Sequence, residues 1–421
     1  MNGPAQALFL RRLAATRDGR LEVRLPDGTS RVFGDPRSDL RAVVEIRDPG
    51  VFRRFVFGGD VAFGETYAEG RWTSPDLPSV VRLGVRNMRA FDAGRRVTSI
   101  LSRLGHRLHH AFRRNTVSGS RLNIRFHYDL GTDFYSLFLD PTLTYSCGIF
   151  ETPQTSLEQA QLAKLDRICQ TLELAPGDRV IEIGTGWGAF AIHAATRYGC
   201  RVTTTTISRS QYDYVRERLA REGPGGRVEL LFEDYRKLTG LYDKAVSIEM
   251  FEAVGLSYYD TFFSTVDRLL HPGGAMLLQT IWMNEERFPS YHAQPDFIQR
   301  HIFPGSELAS IGEIRRSLAR ATSLSVSGLE EIGLHYVRTL AAWRKRFLEN
   351  RERVRALGFP ETFIRMWDYY LGYCEGAFAE RYIGDAQILL AKAGAPATRT
   401  TAAPAEKPKA RAADGLEKRQ A

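Results

Sequence analysis

The chain has 421 residues, 43% of them hydrophobic, and a formal net charge of +9; that length implies two or three domains, and a basic balance suits a nucleic acid or an anionic membrane equally. No apolar run approaches the ~20 residues that a membrane span needs. The four cysteines, Cys147, Cys169, Cys200 and Cys374, form no CxxC pair, which argues against a zinc site or a disulfide frame and for buried, reduced thiols.

The opening "MNGPAQALFLRRLAATRDGR" places an apolar stretch before arginines. A secretory signal has the opposite order, so this start is expected to be part of a helix in a cytoplasmic protein. "RLEVRLPDGTSRVFG" (20–34) alternates around Asp27-Gly28, which predicts a hairpin, and "RAVVEIRD" (41–48) predicts another strand. Helical spacing follows at 76–91 and 95–114. In the second stretch Val97, Ile100, Leu101, Leu104, Leu108 and Phe112 share one face, and from Arg95 to Arg114 there are six arginines, three histidines and no acid. Two readings fit: a basic amphipathic helix for an anionic lipid surface, or a connector whose apolar face packs internally. Residues 1–115 together read as a small α+β unit.

Residues 116–154 form a polar and aromatic link, followed by a helix at 156–172. Strands are then expected at 178–184, 201–206, 227–233, 243–249 and 274–281, with helices at 188–198, 208–222 and 257–271 between them. Such alternation implies right-handed crossovers and a parallel sheet covered on both faces. Residues 284–320 read as an insertion, 338–356 and 361–381 as helices, and "DAQILLAKA" (385–393) as a closing strand. Residues 396–421, rich in Ala, Pro, Lys and Arg, are expected to form a disordered basic tail.

The first strand of the alternating region runs into Glu182-Ile-Gly184-Thr-Gly186-Trp-Gly188 and then a helix. Glycines there let the backbone approach a ligand, and the helix N-terminus faces it. The spacing is G-x-G-x-G, not the G-x-G-x-x-G of dinucleotide binders. The next strand ends in "TTTTISRSQ" (203–211), without the acid that would hold an NAD ribose. The turn resembles the S-adenosylmethionine turn of class I methyltransferases.

"YSCGIFE" (145–151), "GTGWG" (184–188), "TISRSQ" (206–211), "EDYR" (233–236), "SIEMFEAVG" (247–255), "HYVRTLAAW" (335–343) and "YCEGAF" (373–378) occur in one order. Together they resemble the cyclopropane-fatty-acyl-phospholipid synthase family, which includes the mycolic acid cyclopropane synthases. The resemblance covers roughly residues 120–395. It implies an α/β class I S-adenosylmethionine-dependent methyltransferase domain over 116–395, Rossmann-like with a mixed seven-stranded sheet. Ahead of it would lie a small N-terminal α+β lipid-associated domain at 1–115. The cofactor site implied is Tyr145, Ser146, Gly184, Gly186, Gly188, Thr206, Ile207, Gln211 and Glu233. A second set in the family holds a bicarbonate ion beside the methyl group; here it would be Cys147, Glu252 and Tyr336. Cys374 matches a further cysteine of the family's active site. No metal is implied, and a homodimer is left open.

One position departs from the family pattern. Where L-L-H-T-I is usual the chain reads "LLQTI", with Gln279 for histidine and Ile281 retained. Histidine can carry charge and pass a proton near neutral pH, whereas glutamine is neutral and only donates and accepts hydrogen bonds. Gln279 can still hold a bicarbonate, but a relay through histidine is gone.

The chemistry implied is transfer of a methyl from a sulfonium to the double bond of an unsaturated phospholipid acyl chain. Loss of a proton from the new methyl closes a cyclopropane. Loss of a neighbouring proton leaves a methyl-branched or methylene chain, which is the alternative that Gln279 raises. A dry site protects the cation, and the faces of Tyr145, Tyr336, Phe251 and Trp282 are placed to stabilise it, although the last two fit a plain core or tunnel lining as well. His127 in "RFHYDLG" fits either the site or a loop cap. A second alternative keeps the cofactor and methylates a small amine. With no helix-turn-helix, zinc finger or RNA-binding signature, nucleic acid is not an expected partner. The expected location is cytoplasmic, peripherally associated with an anionic membrane surface.

Overall fold

The computed structural model describes residues 3–92, 130–224, 226–293 and 295–392. The basic helix expected at 95–114, His127 and the tail at 396–421 lie outside the described residues, as does the 115/116 boundary between the two expected domains.

The N-terminal unit begins with the helix Pro4–Leu13. A four-stranded sheet follows, in the order β2-β1-β3-β4. Strands β1 (Arg20–Arg24) and β2 (Ser30–Gly34) form the expected hairpin. Its turn is fixed locally: the Asp27 carboxylate accepts from the Thr29 N–H at 3.0 Å, and Gly28 takes φ +80°. Strand β3 (Arg41–Ile46) runs parallel to β1, and β4 (Trp72–Thr73) runs antiparallel to β3. Alternate side chains, Leu21 and Val23 on β1 and Ala42, Val44 and Ile46 on β3, are buried, as a half-covered sheet requires.

Between β3 and β4 stands a helix, Val51–Ala68, that the sequence pattern does not announce. Gly58 and Gly59 interrupt it, and Gly59 sits at φ 63°, ψ −150°, so the 3.6-residue period is broken midway. Helix Leu77–Arg86 starts where Asp76 accepts from the Ser79 N–H at 3.1 Å and from its hydroxyl at 2.6 Å. That is an N-cap, with Pro78 tolerated in the first turn.

The larger unit is a seven-stranded sheet in the order β10-β11-β9-β8-β5-β6-β7. Strands β5 (Arg179–Ile183), β6 (Arg201–Thr205), β7 (Val228–Leu231), β8 (Tyr242–Ile248) and β9 (Leu270–Met283) are mutually parallel. Strand β11 (Ile383–Lys392) pairs antiparallel with both β9 and β10 (Leu324–Glu331). The sheet is therefore mixed, as expected. Strand β10 was not expected: it is an edge strand, one face is wet, and a register shift at Gly328 breaks its alternation. The stretch 284–320 contains the helices Phe288–Ala293, Phe297–His301 and Ile311–Ala321. The helix expected at 338–356 is two, Gly333–Glu349 and Arg351–Ala356, divided at Asn350.

The strand order reverses at β5, with β6 on one side and β8 on the other. Crevices form at the carboxyl ends of strands at such a switch point, and ligands bind there in open α/β sheets.

Helix Glu361–Ala379 joins the two units. It packs on helices Val51–Ala68 and Leu77–Arg86 on one side and on Gly333–Glu349 on the other. Asp368 ties the three together, accepting from Arg344 Nε at 2.6 Å and from the Tyr67 hydroxyl at 2.5 Å. Arg365 donates to the carbonyls of Tyr67 and Trp72 at 2.7 and 2.9 Å. The approach is close because small residues permit it. A Cβ on Gly376 would lie 2.7 Å from the Val81 side chain and 2.8 Å from the Pro78 carbonyl.

Gly376→Val should therefore destabilise the protein by about 2 kcal/mol through overpacking, read as a lower denaturation midpoint. Gly84→Ala, where a Cβ would meet nothing within 4 Å, should leave the midpoint unchanged or raise it slightly.

Candidate active site

One cavity opens at the switch point and reaches from the glycine turn to the helix Glu361–Ala379. Its floor is the turn after β5. Gly184 and Gly186 line it at φ +102° and +51°. A side chain on Gly184 would strike Met250 at 2.9 Å, whereas one on Gly186 would meet no protein atom within 4 Å. Gly188 does not line the cavity; at φ +88° it forms the N-cap of the helix Ala189–Arg197 and lies against Val215. Around the floor stand Tyr145, Ser146, Thr206, Ile207, Gln211 and Glu233. The Thr206 hydroxyl donates to Gln211 Oε1 at 2.8 Å, which fixes the amide.

Glu182, at the end of β5, also lines the cavity and is nearly buried. It accepts from the Thr204 hydroxyl at 2.5 Å, and burial still pushes its carboxyl up to about 8. These residues fit S-adenosylmethionine: a glycine floor with open space over Gly186, polar groups around the rim, and a buried acid at one end. When bound, that cofactor supplies an electrophilic methyl group.

Beyond the floor the cavity lining is largely apolar and aromatic, with the carboxyl groups of Glu249, Glu252 and Asp296 among it. Ile281, Leu340, Tyr370, Cys374 and Phe378 line it together with Tyr336. The Tyr145 and Tyr370 hydroxyls meet at 2.8 Å, so Tyr145 connects the two halves. Phe251 and Trp282 do not line the cavity. Phe251 is fully buried among Tyr259, Phe262 and Phe263, and Trp282 donates from its indole to Glu331 at 2.9 Å. Cys169 and Cys200 are buried in a separate core cluster.

The residues of the expected anion set converge on a side chain that sequence reasoning missed. Directly after β8, Glu249 takes φ +46°, a left-handed conformation that is uncommon for a residue with a side chain. Its Oε1 accepts from the Cys147 N–H at 2.8 Å and from Gln279 Nε2 at 2.8 Å. Its Oε2 accepts from the Tyr336 hydroxyl at 2.6 Å. Gln279, fully buried and outside the cavity lining, is held from behind. It donates also to Asp385 Oδ2 at 3.3 Å and accepts from Gln387 Nε2 at 3.0 Å.

The contribution of Cys147 is its backbone. Burial raises its thiol well above the ordinary range, and the thiol faces the carbonyls of Gly148 at 3.4 Å and Ile332 at 3.7 Å. Burial keeps Cys374 protonated in the same way. Neither is a ready thiolate.

Glu252 lies beside this hub in the short turn Phe251–Ala253. Its Oε1 accepts from the Ile281 N–H at 2.6 Å and from the Thr280 hydroxyl at 3.0 Å, while Oε2 is buried without a hydrogen-bond partner among the described residues. Burial first, and then the charge of Glu249, push its carboxyl up to about 8.

The donors that the resemblance assigns to a bicarbonate, from Cys147, Tyr336 and position 279, are thus already engaged by the Glu249 carboxylate. A separate anion does not fit there. The signal was present in "SIEMFEAVG", where an acid stands three residues before Glu252. Only the fold shows that its backbone turns the carboxylate onto those donors.

Glu182 gives a stability test without substrate. Its folded-state affinity for a proton exceeds that of the unfolded chain, so its contribution to stability falls as pH rises from about 5 towards 8, by at most roughly 1.4 kcal/mol per unit. Relative to wild type, Glu182→Gln should gain stability progressively across that window in denaturant titrations of the unliganded protein.

The profile described as mycolic acid cyclopropane synthetase matches residues 116–388. Among curated proteins, the chain is 36% identical to the tuberculostearic acid methyltransferase UfaA1 of Mycobacterium tuberculosis, over 93% of each chain. It is 35% identical to the cyclopropane-fatty-acyl-phospholipid synthase of Escherichia coli K12, over 86% of this chain and 90% of that one. Among solved structures, mycolic acid cyclopropane synthase CmaA1 complexed with SAH and CTAB superposes with a TM-score of 0.61 at 33% identity. The match covers 65% of this chain and 98% of that one. The chain belongs to the mycolic acid cyclopropane synthetase family and is an S-adenosylmethionine-dependent methyltransferase.

Proposed function

We propose that the protein transfers a one-carbon unit from S-adenosylmethionine to the double bond of an unsaturated fatty acyl chain of a membrane phospholipid and closes a cyclopropane. The observation that carries this reading is the continuity of the glycine-floored cradle with a largely apolar, aromatic region lined by Tyr370, Cys374 and Phe378. Such a region suits an acyl chain, and transfer would require one alkene carbon to be held in line with the sulfonium methyl. The names of the cyclopropane-forming relatives support it.

On this reading Glu249 is the base, in place of a bound bicarbonate. The alkene's π electrons form the new carbon–carbon bond as the carbon–sulfur bond breaks, which leaves a carbocation on the chain. Glu249 takes a proton from the new methyl, and the released electron pair closes the ring. Tyr145 and Tyr336 face the cation, and Glu252 adds a second buried carboxyl nearby. Cys147, Gln279 and Ile281 act through their bonds to these two acids, and Cys374 lines the acyl-chain region. Tyr145, Ser146, the glycine turn, Thr206, Ile207, Gln211 and Glu233 hold the cofactor.

Among the described residues no helix is long and apolar enough to cross a membrane. The enzyme would meet phospholipid from the cytoplasmic side, with residues 1–115 as the lipid-associated unit. Phe57, 71% exposed in the broken helix Val51–Ala68, supports that assignment.

A second reading, methylation without ring closure, is favoured by one observation. Glu249 is fixed at the end of β8 by its backbone and three hydrogen bonds, and on this reading it takes the proton from a neighbouring chain carbon instead of from the new methyl. The relative named for tuberculostearic acid supports the same outcome.

Purified protein given methyl-labelled cofactor and monounsaturated phospholipid vesicles should label the acyl chain. Because a cyclopropane and a methylated alkene have equal mass, NMR of the fatty acid methyl esters must decide between them. An acyl chain without label rejects both readings. Glu249→Gln should lower turnover at least a hundredfold, within the range of losses for general bases. Glu249→Gly relieves the left-handed backbone and frees the three donors, so added bicarbonate should raise its turnover. Wild-type activity in Glu249→Gln would exclude that residue as the base.

A further inference from the structure

We propose that Lys164 is a positioning residue for the amino-acid end of S-adenosylmethionine: together with Ser146 it forms the subsite for the cofactor's carboxylate. Lys164 lies on the buried face of the helix Leu157–Thr171, alongside Ala160, Gln161, Leu165 and Ile168. It has no solvent exposure, yet it lines the cavity. A buried ammonium is costly unless partnered, and lysine is among the residues least often fully buried.

Lys164 Nζ donates to Ser146 Oγ at 2.7 Å. Among the described residues this is its one hydrogen bond, and no carboxylate lies within ion-pair distance. An ammonium has three donors, so two remain unused. Burial lowers its proton affinity, and the carboxylates of Glu249, Asp140 and Asp385 at longer range offset only part of that; Glu182 feels its charge. The Cys147 thiol also faces it but is held protonated. On balance burial still lowers its proton affinity, and its nearest contact is a neutral hydroxyl on the cavity wall, so an anionic ligand there would favour the charge.

Two features give this pairing a direction. Gln161 Nε2, from the same helix, donates to the Ser146 carbonyl at 2.8 Å, so one helix grips both ends of that residue. Because an ammonium can only donate, Ser146 Oγ must accept, and its own proton remains available to a ligand in the cavity. Glu182 lines the same cavity as a buried acid with one oxygen held by Thr204. The amino-acid end of the cofactor is a zwitterion. A bound ammonium would draw the proton from the buried Glu182, and a buried lysine with an oriented hydroxyl would meet the carboxylate, so the two ends of the zwitterion each have a partner.

The test compares two ligands by calorimetry. S-adenosylhomocysteine carries the amino-acid end, and methylthioadenosine lacks it. Lys164→Met should weaken S-adenosylhomocysteine about ten- to hundredfold, the size of one charge-assisted hydrogen bond, and change methylthioadenosine less than threefold. Ser146→Ala, which keeps the buried charge, should show the same selectivity and carries the test if Lys164→Met does not fold. In the double variant the losses should be less than additive, because the two groups act as a unit. Equal weakening of both ligands would make Lys164 a structural residue, and unchanged affinity for S-adenosylhomocysteine would remove it from the subsite. Either result overturns the proposal, and neither bears on the acyl substrate.

Discussion

Three segments distant in sequence each send one donor to the same carboxylate. The loop before the helix Leu157–Thr171 supplies a backbone N–H, β9 supplies an amide, and the helix Gly333–Glu349 supplies a phenol, and all three end on Glu249. A half-buried carboxylate without partners would be costly, so these contacts are a condition for the fold closing over the cavity. They also account for the backbone: a left-handed glutamate is tolerated at the end of β8 because three hydrogen bonds hold its side chain there. The sheet, the loop that covers it and the C-terminal helices are registered against one another at that point.

The charge distribution follows from the same constraint. Glu182, Glu249, Glu252 and Asp385 lie within one region, with Lys164 as the buried cation among them. Not all of these acids can be ionised together in a medium of low dielectric, and burial keeps Glu252 and Asp385 inclined to hold their protons. Glu249 accepts three hydrogen bonds and is the acid best solvated by the protein itself.

Much of this architecture was legible in the residues. Five parallel strands and their crossover helices follow from the alternation of apolar runs, and the glycine turn with its missing ribose acid pointed away from a dinucleotide. What escaped did so for identifiable reasons. Helix Val51–Ala68 is interrupted by Gly59, and β10 is an edge strand whose alternation is broken at Gly328. The residues proposed for the cofactor sit in short local motifs, and all but Gly188 line the cavity. The reactive side was not legible in that way. The importance of Glu249 depends on a positive φ and on groups thirty to a hundred residues away, and Lys164 looks like any polar residue of an amphipathic helix until its burial is seen. Gln279 read as a lost relay; with an amide on one side and two carboxylates on the other, it is a spacer that keeps Glu249 in place.

Helix Glu361–Ala379 has both of its sides committed. Its glycines admit the N-terminal helices to van der Waals contact, while Tyr370, Tyr373, Cys374 and Phe378 form one wall of the channel. A rod clamped in this way cannot roll or slide to make room. Any give in the channel then rests with lining residues outside this helix, such as Ile298 on the short helix Phe297–His301 and Phe303, whose ring stands edge-on to Tyr370.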